Sequence, residues 1–459
     1  MTQRAGDLPL PEETVARIHE SSLEILEKVG VRVEDDAIAG KLVRGGARPG
    51  TKANELFFPR QMVRDYLSRA PSEVRLSARD GTETVLSPES PPCFWTVPCL
   101  FFQTGGTVRP ITSPDLCLVS RLADRLPSVQ AIVGVAMEDV PPHRRDVAGL
   151  RIIAENSRKH IRVLCVTPRG MEALVRMKPV FPGAWFSVGF TAHGPLRWTN
   201  LALNIFAASA GHGIPATVNG EPMAGVTGPV SLAGTIALGN AEILSGIVIN
   251  QMLEPGRPVI YNLGLAHTFD MKHATAVTGG PENGLFAKAS ACLGRFYRLP
   301  SSSWVSTESV FEDEQAGMEK MFGFLTHMSA GVNVIWGIGQ LESEKTISLA
   351  QMVIDDEMVS FCRRYLAGFP ADKEHLCADL IREVGIAGSF LDTDHTLAEW
   401  RNHLYLPSLL NRRVRQNCPS ALPEVARQKA EELLASFAGQ THDDDTIKEL
   451  RRIEEEFFG

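Results

Sequence analysis

Residues 215–263 read PATVNGEPMAGVTGPVSLAGTIALGNAEILSGIVINQMLEPGRPVIYNL. A short β-rich run, 215–219, is followed by a long apolar helical run from Ser231 to Leu253. Glu254-Pro255-Gly256 stops that helix, and a second near-continuous apolar run, 258–263, comes next. Strands that read as unbroken apolar runs are buried on both faces, which is how strands of a parallel sheet with helices outside it read. The helix carries Asn240, Glu242, Asn250 and Gln251. Those groups are costly in lipid, so it is a core helix and not a membrane span.

The same alternation extends in both directions. Candidate strands lie at 99–103, 130–137, 161–166, 184–190, 215–219, 258–263, 303–307 and 333–338. Helices follow near 113–126, 143–159, 170–178, 197–211, 231–253, 281–298, 313–330 and 347–366. Ser113-Pro114 offers a cap and a first-turn Pro, and Gly211, Gly331 and Gly368 mark helix ends. Eight strand–helix pairs over some 270 residues fit a TIM (β/α)8 barrel, whose typical length is about 250 residues. The competing open doubly wound sheet lacks its G-x-G-x-x-G turn. The expected division is an N-terminal α+β extension packed on the barrel (1–98), the barrel (99–368) and a C-terminal helical extension (369–459). The first extension holds a helix from Glu12 to Val29, another near 59–70 and a β-like stretch at 74–79; the last ends in an amphipathic run, Asp443–Phe458.

Composition excludes several classes. The 459 residues carry a net charge of -8 and no basic patch with interleaved aromatics, so nucleic acid is not an expected partner. Eight cysteines (93, 99, 117, 165, 292, 362, 377 and 418) without a C-x-x-C pair read as reduced, mostly buried thiols. No basic-then-apolar leader opens the chain, and the expected address is cytoplasmic. H-E-x-x-H, Walker and G-x-S-x-G motifs are absent, and only His267 and His273 approach a ligand spacing. No protein-bound catalytic metal is expected.

In a barrel, chemistry sits at the carboxyl ends of the strands. Those ends deliver Phe94, Trp95, Phe102, His193, Asn219, Glu221, His267, Trp304, Glu308 and Trp336. Aromatic faces beside carboxylates suit a quaternary ammonium, which has no proton to donate and is drawn to ring quadrupoles. The expected cage takes at least two faces from Phe94, Trp95, Phe102, Trp304 and Trp336, with Glu221 or Glu308 nearby. The competing assignment for Trp304 and Trp336 is barrel filling.

The string Pro222-Met-Ala-Gly-Val-Thr-Gly-Pro-Val-Ser-Leu-Ala-Gly234 resembles the P-M-A-G-x-T-x-P-V-T-L-A-G signature of the trimethylamine methyltransferase (MttB-like) superfamily. The resemblance continues through Asn240-Ala-Glu242, Phe269-Asp-Met271, Gly280-Pro-Glu282, Asp313-Glu-Gln-Ala-Gly317, Leu341-Glu-Ser343 and Ile354-Asp-Asp-Glu357. Upstream, Asn156 and His160 resemble the N-T-T-K-x-H region, and Ala78-Arg-Asp80 the A-R-D string. It implies a TIM barrel that moves a methyl group from a methylated amine to the cobalt of cobalamin on a separate corrinoid-binding protein, as in methylamine metabolism of the methanogenic type. Near residues 305–316, where the resemblance places the pyrrolysine of the trimethylamine enzymes, the chain reads Ser306-Thr-Glu-Ser-Val-Phe-Glu-Asp313 and has none. The resemblance therefore implies a quaternary amine such as glycine betaine, which is already a leaving group and needs positioning in a dry pocket more than acid catalysis. For its carboxylate, the helix start after Gly228-Pro229 is one source of N–H donors. Trp336 stands where many members have histidine, and His193-Gly-Pro-Leu-Arg-Trp198 replaces N-x-S-P-L. No catalytic residue is carried over. The alternatives are a tertiary amine donor, a tetrahydrofolate acceptor, or a quaternary-amine binding protein without catalysis. A homo-oligomer is expected.

Overall fold

The computed structural model describes residues 10–164, 167–413, 421–437, 439 and 442–459. Eight strands close into a barrel: β1 (Cys93–Trp95), β2 (Val129–Val133), β3 (His160–Arg162), β4 (Phe186–Thr191), β5 (Ala216–Asn219), β6 (Val259–Gly264), β7 (Ser301–Trp304) and β8 (Val334–Trp336). Every neighbouring pair is parallel, including β8 with β1, which shuts the sheet on itself. Each strand is followed by a helix: α1 (Ser113–Arg125), α2 (Arg145–Asn156), α3 (Pro168–Met177), α4 (Asn200–Ser209), α5 (Leu232–Leu253), α6 (Pro281–Tyr297), α7 (Glu314–Ala330) and α8 (Leu349–Leu366). The chain is a TIM barrel with helical additions, as the apolar alternation predicts.

The first strand is displaced from its expected place. Residues 99–103 were expected to open the barrel, whereas β1 is Cys93-Phe94-Trp95, inside the stretch assigned to the N-terminal extension. Phe101–Thr104 instead turns back on Thr107–Pro110 and pairs with Thr346–Ser348 in a four-stranded sheet outside the barrel. Gly105 and Gly106, with φ of +55° and +82°, supply the left-handed pair that a tight two-residue hairpin demands. That dipeptide marks residues 101–110 as a hairpin. The helix expected from 197 likewise starts at Asn200, because Arg197–Trp198 pairs in parallel with Val31–Val33 of the N-terminal segment.

Side chains alternate across the barrel wall. Cys93, Trp95, Ala131, Val133, Ile260, Trp304, Val334 and Trp336 form one cluster inside it, closed below by Val74, Leu76 and Leu86 of a hairpin. Phe94, Ile132, Ile161 and Ile335 face the helices. Among the described residues only α5 is long and apolar enough to cross a membrane. Residues Thr235 to Gln251 of it are buried in the wall. The six described cysteines are free thiols; Cys165 and Cys418, with the 165–166 end of the third expected strand, lie outside the described residues. At the C-terminal end, Asp444–Phe458 lays Leu450 and Ile453 on the barrel, and Glu454 pairs with Arg144 (2.9 Å) and Arg151.

Behind β8 a buried ion pair fixes the turn that leads to the barrel mouth. Lys320 of α7 lies 2.7 Å from Asp355 of α8 and donates to the carbonyls of Gly337 (2.8 Å) and Gln340 (2.9 Å). Asp355 accepts from the Gly339 N–H (2.7 Å). Gly337 has φ +119°, and a Cβ there would meet the Val305 carbonyl oxygen at 2.0 Å, so glycine is required.

Candidate active site

The turn held by Lys320 and Asp355 runs into Glu342, Ser343 and Glu344, three consecutive non-glycine residues at positive φ (53°, 50° and 74°). Left-handed backbone at such residues is costly and persists where the surroundings over-determine it. Here the N–H groups of Glu342 and Ser343 donate to the carbonyls of Ser309 and Thr307 (2.8 Å each), tying the β8 loop to the β7 loop. The result places the Glu344 side chain on a cavity of about 670 Å³ at the carboxyl ends of the strands.

That cavity joins residues from most of the barrel. Arg162 comes from β3, Gly189 and Thr191 from β4, Asn219 and Glu221 from the end of β5, Leu265 from beyond β6 and Trp336 from β8. His193, Thr199, Leu201, Ala202 and Ile205 form the side toward α4, and His193 and Leu201 are exposed. Asn219 is fixed by a relay in which its amide donates to Thr191 Oγ1 (2.9 Å) and accepts from Asn262 (2.9 Å).

Charge is arranged unequally. The Arg162 guanidinium lies 5.5 Å from the Trp336 ring and donates to the Val163 carbonyl. Trp336 stacks its ring on Trp95 at 5.4 Å and 29°. Two carboxylates also line the cavity. Glu221 is exposed to the cavity, yet the surrounding protein holds bulk water off and pushes its carboxyl up to about 7. Glu344 is raised well above the ordinary value, first by burial and then by repulsion from Glu221. Behind them Glu242, buried in α5, is pushed up to about 7 by burial, while its Oε1 accepts from the Leu196 N–H (2.9 Å). The cavity thus brings one guanidinium together with two carboxyl groups that burial biases toward their protonated form.

Of the residues expected at the site, His193, Asn219, Glu221 and Trp336 line this cavity. Trp95 backs Trp336 from within the barrel. Trp304 is also inside the barrel, its ring 6.4 Å from His267 and its Nε1 facing the Asn283 amide, which accepts from it at 3.1 Å once oriented to do so. His267 is buried and donates from Nδ1 to the Leu265 carbonyl (2.9 Å); burial lowers its pKa. Glu308 is turned away: its Oε1 accepts from the N–H groups of Thr278 (2.5 Å) and Gly279 (2.8 Å) and from the Thr278 hydroxyl (2.9 Å). Two assignments are corrected. Phe94 points outward, against Phe324 and Arg363, because it alternates with the inward Cys93 and Trp95. Phe102 belongs to the outer hairpin, under Arg109 at 5.3 Å.

The helix start after Gly228-Pro229 is also elsewhere. Pro229 and Gly234 line a larger groove, about 930 Å³, between α5 and the N-terminal helix Glu12–Lys28. Its surface is mostly apolar, and it shares no lining residue with the cavity that holds the carboxylates. His160, flagged in the N-T-T-K-x-H comparison, is held neutral by burial, its pKa pushed down to about 3, with Nε2 2.9 Å from the Ser187 hydroxyl. Among the described residues no group of three or more His, Cys, Asp or Glu side chains is placed to hold a metal ion.

Arg162 and Glu344 were missed from sequence. The signal for Arg162 is a charge at the carboxyl end of the short strand β3, in a run that should be apolar; that for Glu344 is a carboxylate immediately after the Leu341-Glu-Ser343 string. Gly189 is the third such position, since a Cβ on it would overlap Arg162 Nη2 at 1.6 Å. Gly189→Ala should displace the guanidinium and raise the KM for an anionic or zwitterionic substrate at least tenfold, with little change in far-UV circular dichroism. An unchanged KM would show that Arg162 does not read the substrate.

Fold and site together define a barrel enzyme whose strand ends enclose a dipolar, partly aromatic pocket. Residues 5–455 match the family described as Trimethylamine methyltransferase (MTTB), and the chain belongs to that family and is a methyltransferase. It is 30% identical to the trimethylamine methyltransferase MttB of Desulfitobacterium hafniense (strain DSM 10664 / DCB-2), over 97% of this chain and 93% of that protein. It is also 30% identical to the glycine betaine methyltransferase of Desulfitobacterium hafniense (strain Y51), over 92% and 89%. The crystal structure of the Methanosarcina barkeri monomethylamine methyltransferase MtmB shares the fold, with a TM-score of 0.54 over 93% of this chain and 88% of that one, at 14% identity.

Proposed function

We propose that this protein takes a methyl group from a carboxylated quaternary amine, a betaine, and passes it to the cobalt of a corrinoid carried by a separate protein. The single observation that carries the reading is the pairing in one cavity of Arg162 with Glu221 and Glu344. A lone cation would be repelled by the guanidinium, and a lone anion would do nothing to stabilise the two carboxyls in their ionised form. A zwitterion satisfies both ends, with its carboxylate at Arg162 and its ammonium toward the two glutamates and the Trp336 ring.

Methylated-amine and glycine betaine methyltransferases among the relatives support the same chemistry. Low-valent cobalt in the corrinoid supplies the nucleophile that accepts the methyl group. The cavity suits that partner: it lies at the strand ends, and Leu201 and His193 on its α4 side are exposed. The chain's own residues orient the N–methyl bond, hold the carboxylate and keep water from the ammonium. No proton transfer is needed at a nitrogen that already bears four carbons, so no general acid is assigned. A cytoplasmic location fits this pairing with a corrinoid protein.

A panel of methylated amines incubated with the protein and cob(I)alamin, followed by the cobalt absorption spectrum, tests the proposal. Glycine betaine or a longer betaine should give methylcobalamin, whereas trimethylamine should not. Turnover confined to trimethylamine, or full-rate transfer with cobalamin rigorously excluded, would overturn it. Trp336 offers a finer check. Trp336→Ala should weaken betaine binding by about 1–3 kcal/mol, the worth of one or two cation–π contacts, and Trp336→Phe should retain part of it. Calorimetric binding by both variants equal to the parent would leave Trp336 as packing on Trp95 alone.

A further inference from the structure

We propose that Glu242 is a positioning residue for methyl transfer, its buried carboxyl holding in register the two loops that carry His193 and Glu221 into the cavity. The inference rests on that cavity being where the methyl donor binds, and not on the donor being a betaine.

α5 presents one face to both loops. Gly239, Glu242 and Ser245 follow one another on it at intervals of three, with Gly246 beside them. Gly239 seats the loop after β5, where a Cβ on Gly220 would meet the Gly239 carbonyl oxygen at 2.6 Å. One turn on, Glu242 Oε1 accepts from the Leu196 N–H (2.9 Å) in the loop after β4. The Glu221 N–H is close enough to the same carboxyl to favour its ionised form. A further turn on, Ser245 accepts from the Trp198 indole N–H (2.9 Å). Gly246 leaves the space that this ring fills, since a Cβ there would lie 2.6 Å from it.

Leu196 is the residue under constraint. Its φ is +54°, a left-handed backbone that is costly for leucine. Glu242 takes its N–H, and its carbonyl accepts from the Arg32 N–H (2.9 Å) on the other side. The His193 N–H closes the loop on the Arg197 carbonyl (2.7 Å), so the placement of Leu196 and Arg197 sets that of the cavity-lining histidine. Packing alone does not call for an acid at position 242. The side chain is wholly buried in an apolar helix, and its Oε2 has no hydrogen-bond partner among the described residues. A leucine would fill the space without that desolvation cost, but it would offer Leu196 no acceptor. Asn240, about 200° away around the helix, is the contrast. Its amide nitrogen donates to the Ser22 and Tyr297 hydroxyls and its oxygen accepts from Tyr261 (2.8 Å each), none of which lines the cavity.

The test follows transfer to cob(I)alamin from the methylated amine of the panel above that the parent turns over fastest, together with amide exchange. Glu242→Met leaves the Leu196 N–H buried and unpaired, so exchange of that amide should speed up about 5- to 150-fold, the range for one orphaned buried donor. KM should rise about tenfold with kcat within about threefold of the parent, because a displaced binding loop weakens ground and transition states alike. Glu242→Gln keeps an acceptor oxygen at the same reach and should restore most of both losses. Glu242→Asp, one methylene short, should resemble methionine, and it carries the same test if the methionine variant does not fold. Asn240→Ala should lower the thermal midpoint and leave KM alone, which marks the signature of a purely structural polar group in the same helix. A parental KM in the methionine and aspartate variants, a loss confined to kcat, or a glutamine variant as impaired as methionine would each overturn the proposal. Arg162→Met assayed alongside separates the causes. A raised KM there with a silent Glu242→Met removes the positioning role alone, and silence in both removes the cavity as the donor site with it.

Discussion

Arg162→Met should lower kcat/KM for a betaine by about 30- to 4,000-fold, the equivalent of roughly 2–5 kcal/mol for truncating one partner of a buried, hydrogen-bonded charge pair. Most of the loss should fall on KM, because the carboxylate is far from the bond being broken and is held equally in ground and transition states. Methionine keeps much of the arginine volume, so packing beneath Gly189 and beside Trp336 is largely retained. Arg162→Lys should recover only part of the activity, since an ammonium cannot present the planar fork that meets a carboxylate with two bonds. The control is a substrate without a carboxylate. If tetramethylammonium is turned over at all, Arg162→Met should leave its KM unchanged or lower it, because a repulsive cation has gone. Equal losses for betaine and tetramethylammonium, with an intact thermal midpoint, would mean that Arg162 shapes the pocket without reading a carboxylate.

Much of the barrel was legible because it depends on periodicity. Parallel strands covered on both faces have to be continuously apolar, as 259–263 and 334–336 are, and their helices carry their own stops at Glu254-Pro255-Gly256 and Gly331. The first strand was missed because Cys93-Phe94-Trp95 is three residues long and is followed by a second aromatic run of equal promise. Only the Gly105-Gly106 turn tells that the later run is a hairpin. The site divides in the same way. Trp336 and Glu221 could be placed because they end strands whose position was known. Phe94 could not, since a shift of one residue in register exchanges the two sides of the barrel wall. For Arg162 and Glu344 the sequence marks a charge and a carboxylate, but their place in the cavity depends on tertiary facts: a glycine on the neighbouring strand that makes room for a guanidinium, and a left-handed turn tied to the adjacent loop.

Glu221→Gln and Glu344→Gln should each weaken binding of a quaternary ammonium by tens of fold and, in the same molecules, raise the melting temperature at pH 8. The first effect comes from Coulomb attraction: a carboxylate 6–10 Å from a fixed charge contributes about 2–3 kcal/mol at an effective dielectric near 20. The second comes from the same burial that raises these carboxyls. In the unfolded chain a glutamate titrates near 4.3. In the folded protein Glu221 holds its proton up to about 7, and Glu344 is raised further by its neighbour. Over that interval the folded state binds more protons than the unfolded one, so stability falls as pH climbs from the unfolded value through the folded one. Glutamine removes the penalty at pH 8 and should leave the melting temperature unchanged near pH 4, where both states of the parent are protonated. Ligand binding runs the other way. A quaternary cation stabilises the ionised carboxylates, so affinity in the parent should rise with pH through about 7, and calorimetry at pH 6.5 should register protons released on binding. Glutamine at either position should flatten that profile. A carboxylate with a purely structural role would, on replacement, lower the melting temperature and leave the pH dependence of binding intact. That pattern in both variants would remove Glu221 and Glu344 from the ammonium site.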